Sequence, residues 1–524
     1  MDFWLSWENL LSILLKSSLI LRKIMSDLLN LLSPELTRLI HLDSVYINGE
    51  WRPATGIAYD LYNPATAQVI ATTHLASEAE MQLAVESARN AFASWSMTPP
   101  KQRADYLLAI ADAMQQRFDD LVELVVLNNG KPKKEAQIDI QDAIDCYRYY
   151  ADLASKLPEK QNIDLSATTF DTDLELVKLE EPIGVCACIT PWNFPLVTTS
   201  WKLAPALAAG CTVILKPSEV ILLPELVMGD ILLASKLPKG VVNILPADGD
   251  VSAKLTAHPD IDKISFTGSN KVGQLVMAQA AKDSKSVSLE LGGKSAIIVR
   301  EDADLDHACE YIIGGIFTNA GQMCSATSRL LVHQAIAEAL LVKLKEKVQA
   351  LTIGNGNDTS TDMGPIVNAK QYQQAISYLK VAEAEGLKLL TGGKPITKQQ
   401  GYYLAPTIYY DVPTTSRLWK EETFAPILAC MTFSRDDEAV QLTNDSEFGL
   451  VNTIITQDKA TAWQMAKQIR VGHVWINTPQ IVIAQSGWGG FKQSGIGREL
   501  GEDGLSNYLA SKHIMLPKTA TYFI

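Results

Sequence analysis

The sequence has no excess of basic residues, no long uninterrupted apolar stretch and no paired cysteine motif. Its 46 Lys and Arg residues stand against 59 Asp and Glu residues, which gives a formal net charge of −13 over 524 residues. A nucleic-acid-binding protein needs a basic face, so this composition disfavours that class. The apolar run at residues 10–21 is interrupted by Lys16, and it is too short to cross a bilayer. We therefore expect neither a nucleic-acid partner nor a membrane partner.

The cysteines are scattered along the chain. The seven stand at positions 146, 186, 188, 211, 309, 324 and 430. They form no pair of C-x-x-C motifs, so we expect no zinc site. We predict no metal-ligating residues, and binding of a monovalent cation stays open. An odd number without regular spacing is typical of a reducing compartment and not of a disulfide framework. On this basis we expect a cytoplasmic protein.

Residues 1–40 form an N-terminal extension in our division of the chain. Asp2 and Glu8 stand where a secretory signal would be positive, and no clear cleavage site follows. We favour the hypothesis that translation begins at Met25. An amphipathic segment that lies on a surface is the alternative. The intact mass of the natural protein separates the two, because a mass that includes Met1 excludes the late start.

The middle of the chain alternates between strands and helices. Continuous apolar runs separated by helical periodicity predict buried parallel strands in βαβ units, and hence an α/β fold. The runs lie at residues 182–189, 212–215, 241–245 and 263–266. A hairpin at 162–179 and a terminal strand at 508–516 are predicted as small separate elements. A further α/β region is expected at 324–477.

Polar residues follow three of the predicted strands, at the sheet edge where ligands bind in folds of this kind. They are Asn193, Lys216 with Glu219, and Ser269. The G-x-G-x-x-G dinucleotide fingerprint is absent. The helix start after Ser269 still offers free N–H groups to a phosphate.

Two residues have the surroundings of catalytic groups. Cys324 stands on a short polar turn, Gly321-Gln322-Met323-Cys324-Ser325, where a thiolate can act as a nucleophile. Glu290 stands between two leucines, and an apolar setting raises a carboxyl pKa toward the range of a general base. Taken alone, either residue has an ordinary alternative, as a buried core cysteine or a solvated glutamate.

Five ordered motifs resemble those of the aldehyde dehydrogenase superfamily. They are Thr190-Pro191-Trp192-Asn193-Phe194-Pro195, Lys216-Pro217-Ser218-Glu219, Phe266-Thr267-Gly268-Ser269, Glu290-Leu291-Gly292-Gly293-Lys294 and Gly321-Gln322-Met323-Cys324. The interval between Glu290 and Cys324 also matches that family, and the resemblance covers residues 45–515. It implies an α/β fold with a Rossmann-like NAD-binding domain, an α/β catalytic domain and a small β element for oligomerisation.

The resemblance also implies domain bounds. The NAD-binding domain would comprise 41–157 and 178–289, and the catalytic domain 290–503. Residues 158–177 and 504–524 would form the oligomerisation element. The expected partners are a small-molecule aldehyde and further copies of the chain, in a homodimer or a homotetramer.

The resemblance assigns the chemistry to five residues, Cys324, Glu290, Asn193, Lys202 and Glu499. Cys324 would attack the aldehyde carbon to form a thiohemiacetal, and loss of a hydride to NAD would leave a thioester. The Asn193 amide and the Cys324 backbone N–H would hold the oxyanion, and losing one such donor costs ~2.7–4 kcal/mol of barrier. Glu290 would activate the hydrolytic water. Lys202 and Glu499 match a charged pair in the family's proton relay.

NAD is the implied cofactor. Its implied binding residues are Thr190, Trp192, Lys216, Ser218, Glu219, Ser269, Gly292, Glu422 and Phe424. A carboxylate at Glu219 favours a ribose 2′-OH and repels a 2′-phosphate, so we predict NAD over NADP. Ala425 stands where the family usually has Gly.

The motifs around Cys324 and Trp488 are most similar to those of betaine aldehyde and aminoaldehyde dehydrogenases. Those enzymes surround a cationic substrate with aromatic rings, and each cation–π contact is worth ~0.5–2 kcal/mol. The implied substrate residues are Phe194, Trp201, Thr318, His473 and Trp488. The two Trp residues match rings of that box, although Trp is also a common core residue.

Three of these positions depart from the subgroup pattern. Phe194 stands where a Tyr is frequent, and Thr318 stands where a Trp is frequent. His473 replaces a small or aliphatic residue, and a protonated imidazole there would repel a cation. A trimethylammonium aldehyde and a primary-amine aldehyde therefore both remain open, and the alternative is a general aliphatic aldehyde or a semialdehyde.

A non-catalytic binding protein of the same fold is the hypothesis from a different class. Loss of Cys324, Glu290 or Asn193 would mark such a protein, and all three are present. The discriminating observation is whether Cys324→Ser abolishes NADH formation from any aldehyde.

Overall fold

Two large, mostly parallel sheets form the framework of the protein. They are seen in a computed structural model that describes residues 32–158, 160–166 and 173–518. Most of the N-terminal extension, up to residue 31, lies outside the described residues.

The helices of the described residues are α1 Pro34–Leu39, α2 Glu78–Trp95, α3 Pro100–Gln116, α4 Phe118–Asn129, α5 Lys133–Lys156, α6 Val197–Ala209, α7 Leu223–Ala234, α8 Gly249–Ala257, α9 Asn270–Lys282, α10 Leu305–Phe317, α11 Ala337–Gln349, α12 Ala369–Ala384, α13 Arg417–Lys420, α14 Asp436–Asn444, α15 Lys459–Gln468 and α16 Gly501–Ser506. A 3-10 turn, Thr318–Gly321, follows α10 directly.

The strands are β1 Ser44–Ile47, β2 Glu50–Pro53, β3 Ala58–Asn63, β4 Gln68–His74, β5 Gln161–Ile163, β6 Leu174–Pro182, β7 Val185–Ile189, β8 Thr212–Lys216, β9 Val242–Ile244, β10 Lys263–Thr267, β11 Ser286–Glu290, β12 Ala296–Val299, β13 Arg329–His333, β14 Lys388–Thr391, β15 Thr407–Tyr410, β16 Ile427–Phe433, β17 Phe448–Gly449, β18 Val451–Ile455, β19 His473–Ile476, β20 Phe491–Lys492, β21 Gly495–Ile496 and β22 Leu509–Pro517.

The first sheet has eight strands in the order β2-β1-β9-β8-β7-β10-β11-β21. Its five central strands are parallel, and antiparallel strands flank them. The chain runs outward from β7 in one direction and resumes at β10 on the other side of it. Ligands bind at such a reversal point, beyond the carboxyl ends of the strands. The motif after β7 and the motif after β10 therefore meet there.

Both faces of the first sheet are covered, because its strands are apolar on both sides. In β7, Cys186 and Cys188 pack into a core with α3 to α7, whereas Val185, Ala187 and Ile189 pack into a core with α2, α8 and α9. Side chains on successive strand residues point to opposite faces, so a continuous apolar run serves two cores. This is the arrangement predicted from the uninterrupted runs.

The second sheet has seven strands in the order β14-β15-β16-β13-β12-β18-β19, parallel except for β14 at the edge. It has a separate core. The residues before β12, β13 and β16 face the carboxyl ends of the first sheet across a common cavity. The fold class expected from the sequence is confirmed.

The predicted hairpin and terminal strand form one small sheet of three strands, β22-β6-β5. In this sheet β22 pairs with β6 along nine residues. Residues 167–172, inside the predicted hairpin, lie outside the described residues, as does the tail beyond 518. The sheet draws together two segments more than 300 positions apart, and its strand β6 continues to Pro182, beyond the bound of 177 that the resemblance implies.

One predicted helix is broken in the structure. The apolar periodicity at 101–127 continues across Arg117, but the backbone there leaves the helical region (φ −111°, ψ 19°) and separates α3 from α4. Helix α4 then ends at Gly130 in the left-handed region (φ 89°), as its sequence predicts. Within the described ranges, no helix combines the length and apolarity needed to cross a membrane.

Candidate active site

A cavity of about 580 Å³ lies between the two large sheets. Most of the residues predicted from the motifs contribute to its wall. They are Trp192, Asn193, Phe194, Trp201, Ser269, Glu290, Gly292, Thr318, Cys324, Glu422, Phe424, Trp488 and Glu499. The predicted residues outside this wall are Thr190, Lys202, Lys216, Ser218, Glu219 and His473.

Cys324 reaches the cavity because the chain turns sharply after α10. Asn319, Ala320 and Gly321 are all left-handed, with φ of 49°, 53° and 73°. At Gly321 a Cβ would lie 2.3 Å from the carbonyl oxygen of Ala425, so glycine is required on steric grounds as well. The turn leaves the Cys324 side chain partly exposed in the cavity wall.

The surroundings of the Cys324 thiol disfavour its ionisation. Burial, followed by the charges of Glu290 and Glu422, raises its pKa to about 12. The backbone N–H groups of Ser325 and Cys324 act in the opposite direction and stabilise a thiolate. Conversion to the nucleophile therefore needs a base or an added positive charge in the cavity.

Asn193 is held beside the nucleophile by both its side chain and its backbone. Its Nδ2 donates to the Gln322 carbonyl oxygen at 3.0 Å, which leaves the second amide N–H for the cavity. Its own carbonyl accepts from Lys131 Nζ at 3.1 Å and from Asn319 Nδ2 at 2.9 Å. The side chain is 5% exposed. These contacts make Asn193 a rigid donor next to Cys324.

Glu290 ends β11 and is buried at the cavity wall. Burial, followed by the neighbouring Glu499 carboxylate, raises its pKa well above the ordinary value, while Lys202 and Arg498 oppose this shift. Its Oε2 has no hydrogen-bond partner in the described part of the chain. A buried carboxyl with a free oxygen and a raised pKa has the properties of a general base.

Lys202 and Glu499 form a buried ion pair behind Glu290. Lys202 Nζ also contacts Ser265 Oγ at 3.2 Å. Glu499 lines the cavity whereas Lys202 lies one layer deeper. The backbone of Glu499 is also held against Trp488. Its N–H donates to the Trp488 carbonyl oxygen at 2.7 Å, and its carbonyl oxygen accepts from the Trp488 N–H at 2.5 Å.

The groups predicted to bind the adenosine ribose follow β8. Lys216 Nζ pairs with Glu219 Oε2 at 2.8 Å, and Ser218 Oγ accepts from the Val220 N–H at 3.3 Å. Thr190 lies beside them, since its N–H donates to the Lys216 carbonyl. The Thr190 hydroxyl is buried and has no partner among the described residues, so it is available to a ligand.

The predicted nicotinamide groups lie at the opposite side of the same edge. Glu422 Oε1 accepts from the Gly293 N–H at 3.0 Å, and burial raises the pKa of Glu422 to about 7. A Cβ at Gly292 would lie 2.4 Å from Glu422 Oε2. Phe424, which is left-handed (φ 50°), packs edge-on against Trp192 at 5.3 Å between ring centroids. Ser269 precedes α9 without capping it, so the helix N-terminus stays open for a phosphate.

The predicted aromatic box is partly assembled. Trp201 and Trp488 pack at 5.7 Å between ring centroids, inclined by 59°, and Phe194 shares the cavity wall. Thr318 also lines the cavity, with its hydroxyl bonded to the Gly314 carbonyl at 2.9 Å. His473 is not brought to the cavity. It packs behind Trp488, and burial lowers its pKa, so it carries no charge that would repel a cation at neutral pH.

A sequence model of the aldehyde dehydrogenase family matches residues 51–514. The chain belongs to this family. The five motifs of the predicted site all lie within this match, which spans most of both sheets and the cavity between them. The dehydrogenase is therefore an enzyme that oxidises aldehydes, and the non-catalytic alternative is set aside.

Curated relatives of the dehydrogenase act on nitrogen-containing aldehydes. It is 43% identical to the peroxisomal aminoaldehyde dehydrogenase 1 of Pisum sativum over 480 residues, which cover 90% of this chain and 95% of that one. A chloroplastic aminoaldehyde dehydrogenase of Arabidopsis thaliana is 42% identical with the same coverage. Among solved structures, the betaine aldehyde dehydrogenase of Staphylococcus aureus in complex with NAD+ matches with a TM-score of 0.89 and 36% identity, over 93% of this chain and 96% of that one.

The expected cytoplasmic location is wrong. The names of plant relatives place those proteins in peroxisomes and chloroplasts, which contradicts the expectation. The cysteine pattern shows that disulfides are not needed, but it does not distinguish between compartments that are all reducing.

Sequence reasoning missed one group of cavity residues, the carboxylates of Glu135, Asp139 and Asp142 on α5. Their spacing of four and three places them on one helix face, which we call the acidic face. Burial raises the pKa of both Glu135 and Asp142 to about 7. Their 3.6-residue spacing was the available signal, but such spacing is also typical of an ordinary solvated helix surface.

Proposed function

We propose that this NAD-dependent dehydrogenase oxidises ω-aminoaldehydes, with the substrate ammonium group on the acidic face of α5 and the aldehyde carbon at Cys324. One observation carries the proposal: Glu135, Asp139 and Asp142 line the same cavity as Cys324. Among the described lining residues there is no Lys or Arg. The acidic side chains of this lining, which also include Glu290, Glu422 and Glu499, meet no basic side chain there, which suits a cation and not the carboxylate of a semialdehyde.

The carboxylates differ in how free they are to bind. Asp139 pairs with Lys131 Nζ at 2.5 Å, and Glu135 accepts the Asn319 N–H at 2.9 Å. Asp142 makes no hydrogen bond or ion pair with any described residue. Burial, followed by the charges of Asp139 and Asp145, holds its pKa up at about 7. An ammonium group would reverse this unfavourable environment, so Asp142 is the strongest candidate for the substrate contact.

The same geometry favours a primary amine over a trimethylammonium group. A primary ammonium donates three hydrogen bonds, and carboxylate oxygens accept them strongly. A trimethylammonium group has no N–H and depends on aromatic faces. Trp201 and Trp488 supply two such faces, whereas Thr318 leaves one wall without a ring. Betaine aldehyde is accordingly the second candidate substrate.

The residues at the aldehyde end fit the expected chemistry. Cys324 adds to the carbonyl carbon, and its proton passes to a base in the cavity as the thiohemiacetal forms. Asn193 Nδ2 stabilises the developing oxyanion together with the backbone N–H of Cys324. When bound, NAD supplies the hydride acceptor that turns the thiohemiacetal into a thioester.

Hydrolysis of the thioester requires an activated water. Glu290 is suited to this step because its Oε2 is free and its pKa is raised. The proton it gains can pass toward the Lys202–Glu499 pair, since the charges of both residues act on Glu290. Water activation by a carboxylate also argues for release of a free acid and against transfer to coenzyme A.

The residues present fit a bound dinucleotide. The Lys216–Glu219 pair, the unpartnered Thr190 hydroxyl and the uncapped start of α9 lie along the carboxyl edge of the first sheet. Glu219 is the group that selects a 2′-OH. We assign 41–157 and 178–289 to cofactor binding and 290–503 to catalysis on this basis.

Assembly into a homodimer or homotetramer is part of the proposal. The small sheet β22-β6-β5 exposes Ile514 and Met515, at 42% and 62%. A three-stranded sheet with exposed apolar side chains and open edges is stabilised by pairing with another copy. Sedimentation velocity of the purified enzyme measures the assembly state, and a monomer at micromolar concentration would contradict this role.

The substrate proposal is tested by NADH formation with 4-aminobutyraldehyde, betaine aldehyde and hexanal, compared as kcat/KM. We expect 4-aminobutyraldehyde to exceed hexanal by at least tenfold, or about 1.4 kcal/mol, and to exceed betaine aldehyde as well. A preference for hexanal would exclude a cation site and leave a general aliphatic aldehyde dehydrogenase. A preference for betaine aldehyde would place the cation on the Trp rings instead of on the acidic face.

A further inference from the structure

Lys131 links the acidic face of α5 to the turn that carries Asn193. It stands between α4 and α5, and its side chain is fully buried. Its ammonium group has three contacts: Asp139 Oδ2 at 2.5 Å, the carbonyl oxygen of Asn193 at 3.1 Å, and the ring of Phe194, whose centroid is 4.3 Å away. One contact belongs to the acidic face, and two belong to the turn that carries the oxyanion donor.

We propose that Lys131 is a positioning residue that fixes the Asn193–Phe194 turn against the acidic face of α5, and thereby couples recognition of the substrate to stabilisation of the oxyanion. The part that concerns the substrate amine rests on the function proposed above. The part that concerns Asn193 does not, because an oxyanion forms with any aldehyde.

The positioning role follows from how few contacts hold the backbone of Asn193. Its carbonyl has two donors, Lys131 Nζ and Asn319 Nδ2. The Asn319 side chain is shared, since its Nδ2 also contacts the Gln322 carbonyl at 3.3 Å. Asn129 Nδ2 holds the neighbouring Trp192 carbonyl at 3.0 Å. Of the two donors to the Asn193 carbonyl, Lys131 is the one that links it to α5, through Asp139. Without Lys131 this carbonyl would keep one donor, the shared Asn319 side chain, and the position of Asn193 would be less fixed.

The charge of Lys131 also determines how many carboxylates of the acidic face lack a cationic partner. It neutralises Asp139, which is buried and needs a partner to stay ionised. Glu135 and Asp142 are left to interact with a substrate cation. Asp139 in turn holds the Lys131 ammonium in place over the Phe194 ring. The pair therefore supports the Asn193–Phe194 turn and does not bind the substrate.

The test compares Lys131→Met with the double variant Lys131→Met/Asp139→Asn, using hexanal as the substrate at saturating NAD. The single variant leaves a buried carboxylate without its partner, so its melting temperature is expected to fall. The double variant removes both charges with little change of volume, so the melting temperature is expected to recover. In both variants we expect kcat with hexanal to stay at least tenfold below that of the wild type.

Lys134→Met is the matched control. Lys134 lies on α5, three residues beyond Lys131, but its side chain is exposed, pairs with Asp362 at 2.8 Å and does not line the cavity. Its kcat is expected within twofold of the wild type.

Two outcomes overturn the proposal. If kcat recovers in the double variant together with the melting temperature, Lys131 serves only stability. If Lys131→Met alone keeps kcat within twofold of the wild type, the Asn193 turn does not depend on it. Hexanal carries no charge, so neither outcome is affected by whether the amine proposal holds. Conversely, a wild type that prefers hexanal refutes the amine proposal and leaves the kcat comparison intact.

Discussion

The predicted cofactor end and the proposed substrate end of the site are built in different ways. At the cofactor end, short motifs follow strand ends, and Lys216 pairs with Glu219 at 2.8 Å beside the cavity wall. At the substrate end the acidic face lies on a single helix, and Asp142 has no partner among the described residues. We infer that the Lys216–Glu219 pair needs no ligand to balance its charge, whereas Asp142 would gain its counter-charge from a cation.

Asn193→Ala should have the largest effect on activity, because Asn193 is predicted to stabilise the oxyanion formed from any aldehyde. Loss of one oxyanion donor lowers kcat by about 10²–10³-fold. Steady-state kinetics with 4-aminobutyraldehyde and hexanal should show the same loss for both. A loss confined to the amine would mean that Asn193 binds substrate and does not stabilise the oxyanion.

Asp142→Asn tests the proposed contact between Asp142 and the ammonium group of the substrate. A hydrogen bond to a charged group contributes about 1.5–3 kcal/mol, so KM for 4-aminobutyraldehyde should rise by about tenfold or more, with little change for hexanal. Asp145→Asn is the matched control, since Asp145 lies on the same helix but is exposed. Equal effects of the two substitutions on KM would show that the acidic face acts through general charge and not through contact.

Glu219→Gln tests the cofactor end. Removal of this carboxylate ends the repulsion of a 2′-phosphate and frees Lys216 to pair with it. Because Glu219 is about one-third exposed, the expected gain is modest, about fivefold in the NADP-to-NAD ratio of kcat/KM. An unchanged ratio would move the selection between cofactors to another residue.

The smallest effect expected is a pH dependence of KM. Glu135 and Asp142 have pKa values raised to about 7, so the acidic face gains charge as pH rises from 6 to 8. A cationic substrate binds the ionised form, hence KM for 4-aminobutyraldehyde should fall by about threefold over that range. KM for hexanal, measured at saturating NAD, should stay level. A rise of KM for the amine with pH has the wrong sign for this mechanism.

The sequence was sufficient to predict the features that follow from short motifs. Cys324, Glu290 and Asn193 stand in short motifs, and the family, the α/β fold and NAD as cofactor followed from them and are confirmed. The roles assigned to individual site residues remain predictions, although the structure brings most of them to one cavity.

The sequence could not predict the roles of residues whose contacts lie far away along the chain. Lys131 contacts groups 8 and 62 positions away, and no periodic pattern connects such positions. The acidic face was hidden for another reason, since polar residues at helical spacing usually face solvent. His473 was expected at the cavity from its position in the subgroup pattern, but it packs against Trp488 and does not line the cavity.

The acidic face belongs to one helix outside all five motifs, so substitutions there leave Cys324, Glu290 and Asn193 in place. Asp139 differs from its neighbours, because its pairing with Lys131 reaches the Asn193 turn. On the proposed function, replacement of Glu135 and Asp142 would change which aldehyde is preferred while the five motifs stay the same. The motifs would then identify the reaction, and the residues at 135 and 142 would identify the substrate.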